Sequence, residues 1–145
     1  MPSAIAGGTS VRDLSNLDVV ISTMYEVISG PAGQSRDWEL LRSLYHPAAR
    51  LMVCPAVQPP QVRILTVEQF IQRVEAIFAK ESFWERETAR EMESFGRIAH
   101  VLSCYESLHD PSGPPFTTGK KTMQLFFDDA RWWIVSAMWN TERAG

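Results

Sequence analysis

Hydrophobic residues at the start of the chain recur every three or four positions, the spacing of one buried helix face. This pattern predicts a first helix that begins at Val11 and stops at Gly30. A shorter amphipathic run, DWELLRSLY (37–45), predicts a second helix. That helix is expected to end at His46, because a residue that precedes proline disfavours helical geometry.

Strand patterns dominate the rest of the chain. RLMVC (50–54) is a first strand candidate, and TVEQ (66–69) has the form of a capping box that begins a third helix. Four longer strands are then predicted over residues 83–94, 97–109, 117–127 and 131–140. Helices gathered before strands indicate an α+β architecture, with the helices packed on one side of a sheet. We expect a flexible tail over 1–10 and a single domain over 11–145.

The last predicted strand, RWWIVSAMWN (131–140), is apolar on both faces. Alternation places Trp132, Ile134 and Met138 on one face and Trp133, Val135, Ala137 and Trp139 on the other. One face can pack on the helices, but an exposed apolar face of this size is unusual for a monomer. The pattern therefore predicts a homodimer that covers the outer face of the sheet.

Composition narrows the classes of partner. The chain has 14 basic and 17 acidic residues, and the basic ones are spread along it rather than clustered. This favours neither nucleic acid nor a membrane surface as a partner, since both select basic patches. The two cysteines, Cys54 and Cys104, lie in apolar runs and are expected to be reduced core residues. With no secretory signal pattern in residues 1–10, we expect a cytoplasmic protein. The histidine and cysteine spacings predict no metal site, and we expect no cofactor.

Three segments carry a resemblance to a known family. DWELLRSLYHPAARL, FGRIAHVLSCYE and RWWIVSAMWN, in this order of elements, resemble the nuclear transport factor 2-like superfamily, which includes the SnoaL-like and ketosteroid isomerase-like proteins. The resemblance implies a cone-shaped barrel, in which a curved antiparallel sheet wraps around three N-terminal helices. It also implies a pocket inside the cone. Members include isomerases, cyclases, dehydratases and proteins without a known reaction, so the fold alone does not decide the function.

Comparison with the ketosteroid isomerases of this superfamily is informative residue by residue. Tyr25 occupies the position similar to that of the tyrosine that stabilises the dienolate. The position similar to the general base carries Val53 and Cys54, and the one similar to the second carboxylic acid carries Met123. With both carboxylic acids missing, we expect the protein not to isomerise ketosteroids.

The resemblance also implies which side chains line the cone. Those expected to face inward are His100, Leu102, Cys104, Glu106, Met123, Leu125, Val135, Ala137 and Trp139. Within this set we predict that Leu102, Cys104, Met123, Val135 and Trp139 contact a ligand. Such a wall is mostly apolar with a few polar points, as small-molecule pockets are.

His100 and Tyr25 are the candidate catalytic residues. An inward imidazole could act as a general acid or base, and the Tyr25 hydroxyl could polarise a carbonyl. The alternative is that His100 is a half-buried residue bonded to backbone and that Tyr25 packs in the core. The charged run ERETAREMES (85–94) is interpreted as a solvated or interface face.

Three functions remain open at this point. We predict a small-molecule-binding domain whose pocket takes an apolar or ring-containing ligand. The first alternative is a small acid–base enzyme of the dehydratase, cyclase or isomerase type that uses His100 and Tyr25. The second is a dimeric interaction scaffold without catalysis.

Overall fold

Three helices and six strands follow one another in the computed structural model, which describes residues 12–143. The elements are α1 (Leu17–Val27), α2 (Trp38–Leu44), β1 (Tyr45–Cys54), β2 (Arg63–Leu65), α3 (Val67–Phe78), β3 (Trp84–Phe95), β4 (Ile98–Leu108), β5 (Pro115–Phe127) and β6 (Trp132–Arg143). Within this range, none of the helices has the length and apolar character needed to cross a bilayer. The tail predicted over 1–10 lies outside the described residues.

The six strands form one curved sheet in the order β2-β1-β6-β5-β4-β3. All neighbours are antiparallel except β1 and β6, which run parallel. The described sheet does not close on itself. The predicted α+β class, with a curved and mainly antiparallel sheet against three helices, is confirmed. The short strand β2, which pairs only with β1, was missed.

Local chemistry explains where the helices begin. At α3 the Thr66 hydroxyl accepts a hydrogen bond from the Gln69 backbone N–H, and the Gln69 side chain accepts one from the Thr66 N–H, the capping box seen in the sequence. α1 begins later than predicted, at Leu17, where the Asn16 side chain caps it. His46 does not end a helix but lies in β1, because Tyr45 already has extended geometry and the register of β1 is irregular there.

The hydrophobic core lies between the concave face of the sheet and the helices. α1 contributes Val20, Ile21 and Met24, and β5 contributes Met123 and Leu125, all almost fully buried. Phe78 of α3 and Leu41 of α2 belong to the same cluster. The helices thus cover one face of the sheet and leave the convex face open.

The orientation predicted for β4 is wrong by one residue. The strand buries alternate residues, namely Ala99, Val101, Ser103, Tyr105 and Ser107. The opposite set is therefore on the convex face, with His100 exposed and Leu102, Cys104 and Glu106 half-buried. The tight turn at Gly96, where φ is +56°, pairs Phe95 of β3 with Ile98 of β4. This pairing fixes the register of β4 and therefore which of its side chains face the core. The sequence pattern could not choose between the faces because both sets contain apolar residues.

A bulge changes the alternation in β6. Gln124 pairs with Ser136 and Leu125 with Ile134, so Val135 has no direct partner on β5. Its side chain is 37% exposed rather than turned inward as predicted. Beyond the bulge, Ala137 is buried on the concave side.

Candidate functional site

A cavity of about 340 Å³ lies between α3 and the concave face of the sheet. Its lining is largely apolar and includes Ile28, Leu51, Val53, Phe70, Phe78, Phe83, Phe116, Ala137 and Trp139. Three exposed residues, Arg73, Ile77 and Glu81, also line it, so the cavity meets solvent beside α3. The size and lining are those of a small-molecule site.

A buried ion pair forms part of the cavity wall. The Lys121 ammonium donates to Oε1 of Glu85 at 2.6 Å, and the two side chains are only 7% and 8% exposed. The Ser107 hydroxyl donates to the other oxygen, Oε2, at 3.1 Å. Both members of the pair line the cavity. They bring paired charges into a wall that is otherwise mostly hydrophobic.

Three aromatic rings surround the Lys121 ammonium. Its nitrogen lies 4.5 Å from the ring centre of Tyr25, 4.9 Å from that of Tyr105 and 5.4 Å from that of Trp139. All three distances are within the range of cation–π attraction. The negative faces of these rings replace part of the hydration that the ammonium loses on burial.

The Tyr25 hydroxyl belongs to a separate hydrogen-bonded chain. Ser103 donates its only proton to Oε2 of Glu87 at 2.5 Å, so Tyr25 must donate to Ser103, at 2.7 Å. Arg90 completes the chain with an ion pair to Glu87 at 2.8 Å. Burial raises the pKa of the Tyr25 phenol above its usual range. The Tyr25 proton is therefore donated within the core, and the Tyr25 ring contacts the lining residue Lys121.

The structure separates the predicted site residues. Trp139 lines the cavity. Met123 is fully buried in the core and does not line it. Leu102, Cys104 and Val135 do not line the cavity. His100 is exposed on the convex face, where the Gln124 amide donates to its Nδ1 at 2.6 Å. His100 and Tyr25 thus lie on opposite sides of the sheet and share no site.

Sequence reasoning missed Glu85 and Lys121. A signal for Lys121 was present, because it lies two residues before Met123, which was correctly expected to face inward. The run 85–94 was interpreted as a solvated or interface face, whereas Glu85, Glu87 and Arg90 take part in partly or fully buried ion pairs within the protein. Alternating charge in a strand does not reveal which members will find partners on the facing element.

Metal ligation finds no support at this site. Across residues 12–143, no group of three histidine, cysteine, aspartate or glutamate side chains is arranged to hold a metal ion. The charged groups that line the cavity are one ammonium, one guanidinium and two carboxylates. Such a set can donate and accept hydrogen bonds and can move protons.

Comparison with known proteins gives a likeness in structure but not in sequence. No family model matches the chain, and no curated protein matches it. A Nostoc punctiforme protein of unknown function with a cystatin-like fold has a TM-score of 0.68 and 8% identity, with 87% of this chain and 88% of that one covered.

Two further solved structures have names that mention a reaction. A candidate dehydratase of the nuclear transport factor 2-like family from Streptomyces avermitilis has a TM-score of 0.65 and 19% identity, over 91% of this chain and 97% of that one. The β subunit of a candidate aromatic-ring-hydroxylating dioxygenase from Novosphingobium aromaticivorans has a TM-score of 0.67 and 12% identity, over 91% and 90%. Identities this low establish shared architecture and not shared chemistry. From its element order, its sheet and these likenesses, the protein has the fold of the nuclear transport factor 2-like superfamily.

Proposed function

We propose that the protein binds a small, largely apolar, ring-containing molecule in the cavity beside α3. The observation that carries the proposal is the lining itself, in which aromatic side chains such as Phe70, Phe83 and Trp139 surround one buried ion pair. Aromatic walls contribute large contact areas to a bound ring, and a few fixed polar groups orient it.

A binding role is better supported than the acid–base alternative built on His100 and Tyr25. The imidazole of His100 is on the convex face, and the Tyr25 proton is donated to Ser103. Any proton transfer within the cavity would have to use other lining groups, such as Glu81, Glu85 or Lys121. The similarity to a candidate dehydratase supports the shared fold. The reaction that its name mentions belongs to that protein.

We further propose that the protein acts as a homodimer in the cytoplasm. The convex face exposes large apolar side chains, with Ile98 61%, Phe126 38%, Val135 37% and Met138 38% exposed. We favour a second copy of this chain as the partner that covers this face, because one self-complementary patch on each protomer is enough to form a closed two-fold interface. The scaffold alternative differs only in leaving the cavity without a ligand.

A thermal-shift screen of aromatic and terpenoid compounds tests the binding proposal. A ligand present at a hundred times its dissociation constant stabilises the fold by about 2.7 kcal/mol. Val74→Trp narrows the cavity from α3 and should abolish the shift, because Val74 is a half-buried lining residue. Ala76→Trp on the exposed side of the same helix is the matched control and should keep it. Equal shifts in both variants, or no binder for the unmodified protein, would refute the proposal.

A further inference from the structure

We propose that the cavity selects an uncharged ligand that carries a hydrogen-bond-accepting oxygen, such as a ketone, and that this oxygen meets the ammonium of Lys121. The inference rests on the proposed function and extends it to the chemical class of the ligand. It depends on the balance of charge in the cavity, on the unused hydrogen-bonding capacity of the ion pair, and on the position of the pair relative to the aromatic walls.

The charges that line the cavity cancel. Lys121 and Glu85 neutralise each other inside it, and at the solvent side Arg73 is matched by Glu81. A ligand carboxylate near Lys121 would also be close to Glu85, which repels it, and a ligand ammonium near Glu85 would be close to Lys121. Either ion would lose its hydration without gaining a partner of its own, which is strongly unfavourable in a buried site. A neutral ligand avoids this desolvation penalty.

The donor groups of the ion pair are less fully hydrogen-bonded than its acceptor oxygens. The Lys121 ammonium has three N–H groups, and among the contacts of the described residues it makes one hydrogen bond, to Glu85. Each oxygen of Glu85 already accepts one hydrogen bond, from Lys121 or from Ser107, and could accept a second, whereas two of the ammonium N–H groups make none within the described residues. The group that complements a spare donor is an acceptor, so a ligand oxygen fits better than a ligand N–H.

The surroundings of Lys121 favour an oxygen attached to a ring system. Trp139 and Lys121 both line the cavity, and the ammonium lies 5.4 Å from the ring centre of the indole, so a ligand that packs beside this indole lies close to Lys121. Phe70, whose ring meets that of Trp139 edge to face with centres 5.8 Å apart, extends the aromatic surface toward α3. A flat ring bearing one carbonyl satisfies both the apolar walls and the ammonium.

Matched probes with one ring system test this selectivity. The probes are acetylnaphthalene, its isosteric hydrocarbon ethylnaphthalene, and naphthoate, with dissociation constants measured by equilibrium dialysis at neutral pH. We expect the ketone to bind about tenfold more tightly than the hydrocarbon, as one hydrogen bond to a charged donor implies. We expect naphthoate to bind more weakly than the ketone by a similar factor. Equal affinities for ketone and hydrocarbon, or tighter binding of naphthoate, would overturn the inference.

Variants of two adjacent lysines locate the effect. The double variant Lys121→Met with Glu85→Met removes the ammonium without leaving a buried carboxylate or adding a new donor, and it should lose the preference for the ketone while still binding the hydrocarbon. Lys120→Met changes the neighbouring exposed residue on the other face of β5 and should keep the preference. A preference that persists in the double variant also overturns the inference. If none of the probes binds the unmodified protein, the proposed function fails together with the inference, whereas binding without selectivity leaves the proposed function standing.

Discussion

Replacing Lys121 by methionine should destabilise the protein far more than replacing a lysine on its surface. The ammonium is paired with Glu85 at 2.6 Å, and both side chains are less than a tenth exposed. Methionine has nearly the same length and fills the same space between the aromatic rings, so the main loss is the charge. The Glu85 carboxylate would then be buried with only the Ser107 hydroxyl as a donor. Breaking a buried pair in this way costs about 3–5 kcal/mol.

Urea denaturation followed by circular dichroism measures this loss, and a double-mutant cycle assigns it. The variant Glu85→Gln, Lys121→Met should be more stable than Lys121→Met alone, because no unpaired charge stays in the core. Arg97→Met is the control, since the Arg97–Asp129 pair is more than half exposed and should be worth less than about 1 kcal/mol. A loss below about 1 kcal/mol for Lys121→Met, or a double variant no more stable than it, would refute the reasoning.

Three other outcomes are expected. Gly119→Ala should destabilise the fold by about 1–3 kcal/mol in the same assay, because an added Cβ would lie 2.6 Å from the Asn140 carbonyl oxygen, whereas Thr118→Ala, at an exposed neighbour, should have little effect. Burial raises the pKa of all three tyrosines above the usual value near 10. Their contribution to the free energy of unfolding should therefore be fully present below about pH 10 and decrease above it, because the tyrosines of the unfolded chain ionise first. Tyrosinate absorbance should therefore rise together with the loss of circular dichroism, and a rise in the native protein near pH 10 would contradict this. Analytical ultracentrifugation should show a dimer that Val135→Glu dissociates, and a monomer at micromolar concentration would contradict the proposed interface.

The elements that the sequence predicted well are those with local signals. The capping box at Thr66 and the amphipathic spacing of the helices depend on residues three or four positions apart. The capping box was found where expected, and α1 lies within its predicted range but is shorter. The long strands were also predicted to within a few residues. The architecture followed from the order of these elements and from the family resemblance.

The candidate site was predicted less well because it depends on which way each strand faces. β4 has apolar residues on both faces, so His100 was assigned to the wrong side of the sheet. Val135 was assigned to the wrong side because a strict alternation of faces along β6 does not allow for the bulge opposite Gln124. The partners Glu85 and Lys121 lie on β3 and β5, with β4 between them. Only the folded sheet brings these two charges together.

The parallel pairing of β1 with β6 has a consequence for how the chain acquires its structure. Leu51 of β1 lies beside Ala137 of β6. β1, from the first half of the chain, can therefore join the main part of the sheet only after β6, the last described strand, is present. Contacts between such distant segments require a long loop to close and slow the folding reaction. Before β6 is synthesised, the short strand β2 is the sheet neighbour available to β1, and a two-stranded hairpin is only marginally stable in water. The wall that bears Leu51, Val53, Ala137 and Trp139 is therefore assembled in a late step, after β6 has left the ribosome.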